Sequence, residues 1–171
     1  MFRAFGHPNI SVLNGGLPEW IRKGYETVNN HENESLLGDF IVSNSVSGLK
    51  NYNEILENTQ TEEFLLIDAR SSGRFNGTEN EPRKSLRSGN IPNSINIPYS
   101  WVLENGLFKS KDALIEAFKS IEKESRGLIF SCGSGVTACI VLLASELVME
   151  NEKYVFDGSW TEWATRQNLL T

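Results

Sequence analysis

The stretch Leu128-Ile129-Phe130-Ser131-Cys132-Gly133-Ser134-Gly135-Val136-Thr137-Ala138 decides how this chain is read. Its first residues form an unbroken apolar run, as expected of a parallel strand covered on both faces. Two glycines after the cysteine let the backbone curl, and an apolar helical segment follows from Thr137. A strand, a curled loop and a helix in that order direct backbone N–H groups and the positive helix end toward one point. Cys132 stands at that point. Both features favour the thiolate, which makes Cys132 a candidate nucleophile. The loop alone leaves open a plainer reading, a small buried cysteine beside a glycine turn.

Working outward, Phe64–Ile67 is a compact apolar run ending in Asp68, and Ser94–Ile97 is a short strand between Pro92 and Pro98. Leu114, Ile115, Phe118 and Ile121 give Lys111–Ile121 the spacing of an amphipathic helix. Gly127–Ser131, Thr137–Met149, Tyr154–Phe156 and Ser159–Arg166 continue as strand, helix, strand and helix. This alternation predicts an α/β sandwich with a mostly parallel sheet covered by helices on both faces. Ligands of such sheets sit beyond the carboxyl ends of the strands, where Cys132 falls.

The first thirty residues read differently. Ile10–Leu13 is strand-like, Asn14-Gly15-Gly16 is a turn, and Leu17–Ile21 is a short helix with Pro18 near its start. This piece is too small to bury a core. The expected organisation is a remnant of a preceding domain at 1–30, a polar linker at 31–39 and a catalytic domain at 40–171. A length of 171 residues leaves room for one full domain plus such a remnant.

The composition, 39% hydrophobic and 22% charged, suits a globular protein and is too apolar for disorder. A net charge of -6 gives no reason to expect nucleic-acid binding, and an anionic substrate would need cations placed locally. No apolar run approaches the roughly 18 residues of a membrane span, and the N-terminus resembles neither a signal nor a transit peptide. Two cysteines are too few for a disulfide framework. The expected compartment is therefore reducing, the cytoplasm, with mitochondria open to a longer form. No metal-ligand cluster is visible, so no cofactor is expected.

The segment CGSGVT, Cys132–Thr137, resembles the active-site loop of the rhodanese family, in its mercaptopyruvate branch. The thiosulfate branch typically has basic residues after the cysteine, where this sequence has Gly133 and Ser134. Ile67–Arg70, Gly73-Arg74-Phe75 and Gly77-Thr78 are similar to the family's DAR…GRF.GT segment. Glu81-Pro82-Arg83, Gly89–Ser94 and Asp157–Trp163 match further signatures, and FRAFGH and VLNGGLPEW are similar to the tail of the family's first domain.

This resemblance implies a rhodanese-like fold and a sulfurtransferase reaction through a Cys132 persulfide. The donor would be 3-mercaptopyruvate, leaving as pyruvate, and the acceptor a thiol such as thioredoxin or glutathione, or cyanide. It implies that Arg74 and Arg83 hold the donor, a role suited to guanidinium forks facing a carboxylate and a carbonyl. Gly133, Gly135, Val136 and Thr137 would complete the donor-binding loop, and Ser134 would help activate the thiol. The family's histidine and aspartate partners for this serine lie in its first domain, so that domain would supply the rest of the site. Neither His7 nor His31 replaces them; both read as surface residues. Arg70 reads as a structural partner of a carboxylate such as Asp68, Cys139 as a small core residue, and Asn90 as a turn residue bonding its own backbone. Thiol phosphatases sharing this fold carry an arginine six positions after the cysteine; here that residue is Ala138. A non-catalytic persulfide carrier or partner-binding domain is the alternative, with thiosulfate as the less favoured donor.

Overall fold

Two apolar runs without alternation, Phe64–Asp68 (β2) and Gly127–Ser131 (β6), lie side by side and parallel, with Ile67 opposite Phe130 and Asp68 opposite Ser131. Such runs need cover on both faces, and they occupy the middle of the sheet. The computed structural model describes residues 1–29, 38–42 and 47–169. Among these, Leu49–Lys50 (β1), Ser94–Asn96 (β3) and Lys153–Phe156 (β7) complete a five-stranded parallel sheet in the order β1-β7-β6-β2-β3.

One face of the sheet carries Leu65, Ile67, Leu128, Phe130 and Cys132. Packed on it are Leu114 of helix Lys111–Ala117 (α4) and Ala138, Val141 and Ala144 of helix Val136–Glu146 (α5). The other face carries Leu66, Ile129 and Phe156. It is covered by Ile55 of helix Tyr52–Thr61 (α2) and by Trp160 and Trp163 of helix Ser159–Arg166 (α6). The chain is the expected α/β sandwich, and Cys132 ends the row Leu128, Phe130, Cys132 on one face.

The structure departs from the sequence reading in several elements. Helix α2 was not anticipated, although Asn51 and Glu54 form a capping box at its start, a signal present in the sequence. A short helix, Ser72–Phe75 (α3), and an antiparallel ribbon, Leu103–Glu104 (β4) with Leu107–Phe108 (β5), are likewise additional. The predicted helix 111–121 breaks at Phe118 into α4 and a 3-10 turn at Lys119–Ile121. Ile10–Leu13 forms no strand; among the described residues none pairs with it in a sheet.

The first 29 residues bury no side chain of their own in either of their helical pieces, the 3-10 turn Arg3–Phe5 and the helix Gly16–Arg22 (α1). They lie against the sandwich. Arg3 Nη1 donates to both Glu146 carboxylate oxygens at 2.8 and 2.9 Å, Ser47 N–H donates to Ala4 O, and Phe108 N–H donates to Asn14 Oδ1. His7 is half-buried between the rings of Phe2 and Phe40. Most of the expected 31–39 linker, with His31, lies outside the described residues.

Candidate active site

Strand β6 ends at Ser131 and helix α5 begins at Val136, so four residues turn the chain from strand to helix at the carboxyl edge of the sheet. Gly135 makes the turn at φ 81°, and a Cβ there would come within 2.9 Å of the Asp157 carbonyl oxygen. Only glycine fits both the conformation and the space.

Cys132 is 2% exposed at the floor of this loop. Burial is the largest influence on its thiol and pushes the pKa up. The Thr137 hydroxyl and the N–H groups of Ala138, Ser134 and Thr137 all favour the thiolate, and together they outweigh burial, so the pKa lies below that of an ordinary cysteine. Sulfur held by several fixed donors at a helix N-terminus is equipped to carry negative charge, as a thiolate or as a persulfide.

The loop is held from outside by the first turn of α6. Ser159 Oγ accepts from Cys132 N–H at 3.1 Å and from Gly135 N–H at 3.0 Å, and donates to Phe156 O at 2.8 Å. The N–H groups of Trp160 and Thr161 donate to the carbonyls of Cys132 and Gly133. Those amides would otherwise be unpaired donors at a helix start, and the loop caps them. Ser159 was not singled out from the sequence. A serine opening a helix within Asp157–Trp163 was the available signal, but its partners lie 24 and 27 residues away.

The arginines divide into structural and exposed roles. Arg70 is fully buried: it pairs with Asp68 at 2.6 Å and Glu81 at 2.7 Å, donates to Gly89 O, and lies over the Trp160 ring at 4.6 Å. The Asp68 pairing matches the sequence reading. Glu81 also holds Arg74, through Nη2 at 2.7 Å and Nε at 3.1 Å. Burial acts most strongly on Glu81 and raises its pKa, but hydrogen bonds and charge from Arg74 and Arg70 prevail and keep it below the usual carboxylate value.

Arg74 Nη2 lies 2.9 Å from where a Cβ on Gly133 would stand. Arg83 is exposed and donates through Nη1 to Thr161 Oγ1 at 3.0 Å; that hydroxyl donates to Gly133 O at 2.6 Å. Arg74 therefore lies against Gly133 directly, and Arg83 is linked to the same residue through the Thr161 hydroxyl.

The remaining sequence candidates are placed as follows. Ser134 is exposed and acts on the sulfur through its backbone N–H, while Thr137 acts through both hydroxyl and backbone. Val136 is 70% exposed at the rim. Cys139 is exposed rather than a core residue, because α5 turns Ala138, Val141 and Ala144 inward; its thiol donates to Gly135 O. Asn90 donates to Phe75 O rather than bonding its own backbone, tying its turn to the end of α3. Among the described residues no group of three or more His, Cys, Asp or Glu is placed to hold a metal, and no helix is long and apolar enough to cross a membrane.

A family model described as a rhodanese-like domain matches residues 51–166. The chain is 40% identical over 168 residues to the 3-mercaptopyruvate sulfurtransferase of Mus musculus, covering 97% of this chain and 56% of that protein. It is also 40% identical over 169 residues to the thiosulfate sulfurtransferase of Rattus norvegicus, covering 97% and 57%. The solved 3-mercaptopyruvate sulfurtransferase from Leishmania major superposes with a TM-score of 0.79 at 25% identity, covering 99% of this chain and 48% of that one. The chain thus spans a little over half the length of the curated relatives it matches.

Proposed function

Because this chain belongs to the rhodanese family, we propose that it moves sulfur from 3-mercaptopyruvate through a persulfide on Cys132 to a thiol or cyanide. The observation that carries the proposal is the nucleophile itself, a buried sulfur whose pKa is held down by the Thr137 hydroxyl and by three backbone N–H groups of the loop and the first turn of α5. Cys132 thiolate attacks the donor sulfur, the carbon–sulfur bond breaks, and its electron pair leaves on carbon as the enolate of pyruvate. The donor's thiol proton ends on that carbon, which gives pyruvate and leaves Cys132 as a persulfide anion. An acceptor thiolate, such as that of thioredoxin or glutathione, or cyanide, then takes the outer sulfur and restores the thiolate.

Arg74 and Arg83 bind the carboxylate and carbonyl of the donor in this reading, beside Gly133. Since Glu81 engages Nε and Nη2 of Arg74, the donor is met by the remaining guanidinium hydrogens and by Arg83. Ser134, Gly135, Val136 and Thr137 line the approach to the sulfur. Residues 1–30 are the end of a first rhodanese domain, which supplies the remaining face of the site, and the reducing cytoplasm is the compartment.

Thiosulfate is the second donor to weigh, since the two kinds of relative are equally identical to this chain. Gly133 and Ser134 put no cation beside the sulfur to meet a dianion, which favours mercaptopyruvate. The test is pyruvate and thiocyanate release from 3-mercaptopyruvate and cyanide, beside thiocyanate release from thiosulfate, with Cys132→Ser as control. Pyruvate release that disappears in the variant supports the proposal. A folded chain that takes up sulfur from a polysulfide but releases no pyruvate from 3-mercaptopyruvate is a persulfide carrier, and a higher kcat/KM for thiosulfate overturns the donor assignment.

A further inference from the structure

We infer that Ser159 is a positioning residue whose buried hydroxyl fixes the backbone of the Cys132 loop, so that the N–H groups facing the sulfur keep their aim. The inference rests on Cys132 being the nucleophile, but its test does not require sulfur transfer.

The N–H groups around the sulfur fall into two sets. Those of Ser134 in the loop and of Thr137 and Ala138 in the first turn of α5 favour the thiolate, and those of Cys132 and Gly135 donate to Ser159 Oγ at 3.1 and 3.0 Å. The Ser159 hydroxyl uses its own proton on Phe156 O, so its oxygen is left to accept from both loop amides. This oxygen is fully buried, at the place where the end of β7, the start of α6 and the cysteine loop meet.

Two features indicate that the hydroxyl, and not merely a small side chain, is wanted there. Ser159 adopts φ 49°, a left-handed conformation that non-glycine residues occupy at a cost. Glycine would accept that conformation freely, yet the position holds a residue with a polar atom that three backbone groups share. Buried amides must also find acceptors. Without Ser159 Oγ, the Cys132 and Gly135 N–H groups have to turn toward other oxygens. The Ser131–Cys132 and Ser134–Gly135 peptide planes that carry them turn as well, and the adjoining Ser134 N–H loses its aim at the sulfur.

The test is a pH titration of thiolate ultraviolet absorbance in the full chain, taken as the difference from the matching Cys132→Ser background. Ser159→Ala removes the hydroxyl while keeping a Cβ; Ser159→Gly removes it and relieves the backbone as well. Both variants are expected to shift the Cys132 titration to higher pH, with about a tenfold smaller thiolate fraction below the midpoint. The Cys139 titration should stay where it is. An unshifted Cys132 titration in either folded variant overturns the inference. So does loss of the fold in both, since Ser159 would then serve the domain as a whole. Failure of the unsubstituted chain to transfer sulfur, with the expected titration shift in the variants, would count against the proposed reaction and leave the role of Ser159 standing.

Discussion

Gly133→Ala tests whether Arg74 has to lie against the cysteine loop. The φ of Gly133 is outside the left-handed region, so alanine is free to adopt its backbone conformation. The added Cβ would stand 2.9 Å from Arg74 Nη2, and ordinary contact begins at 3.4 Å. The guanidinium must therefore retreat by about 0.5 Å, and a misplacement near 1 Å in a positioning group costs about a hundredfold. Arg74 is held to Glu81 at 2.7 Å, and Glu81 is held in turn by Arg70 at 2.7 Å, so the group has little freedom to re-aim. We expect kcat/KM for 3-mercaptopyruvate to fall about tenfold, which is about 1.4 kcal/mol. Loading of Cys132 from an uncharged polysulfide should be unchanged. Steady-state pyruvate release measures the first quantity and intact mass the second. Combining the change with Arg74→Ala gives the sharper control: if Gly133→Ala acts through Arg74, it costs nothing further in that background. Additive losses, or an equal loss with polysulfide, would refute the reasoning and make the loop itself the casualty.

Three further outcomes follow from the same geometry. Arg74→Ala and Arg83→Ala should each lower kcat/KM for mercaptopyruvate by about 30- to 1000-fold, with weak rescue by lysine. Near-normal turnover in both places the donor carboxylate elsewhere. Gly135→Ala should destabilise the chain by about 2–5 kcal/mol in denaturant unfolding, because it combines a left-handed alanine with a clash against the Asp157 backbone; a loss below about 1 kcal/mol contradicts that packing. The Glu81 carboxylate is held below its ordinary pKa, so its contribution to stability is complete above the unfolded value near 4.3 and is lost as pH falls through the folded one. Glu81→Gln should accordingly be less stable at neutral pH and lose less on acidification, and parallel pH profiles for the two proteins would contradict the pairing.

What could be read early was what local chemistry dictates. An apolar run ending in Cys132, two glycines and a helix specify a strand–loop–helix turn without help from the rest of the chain, and β2, β6 and α6 followed from their own residues. Short elements were missed for a physical reason: α3, β4 and β5 are too brief to carry a period, and they exist because the surrounding chain fixes their ends. Helix α2 is different, since Asn51 and Glu54 announce it. The break at Phe118 was hidden because its ring fits the apolar spacing of a helix yet turns into the core, 2% exposed, as the chain tightens.

The sequence by itself determined the α/β sandwich and the strand–loop–helix turn that carries Cys132, because each depends on residue types in a local pattern; Arg74 and Arg83 entered only through the family resemblance. Only the tertiary structure decided how these parts act on one another. Ser159 reaches the loop from 24 and 27 residues away, Glu81 links two arginines, and Arg83 bonds Thr161, 78 residues away, whose hydroxyl in turn donates to Gly133 O. Such contacts depend on which side chains the packed sheet and helices bring within about 3 Å, and a directional hydrogen bond has no periodicity by which to show itself in the chain.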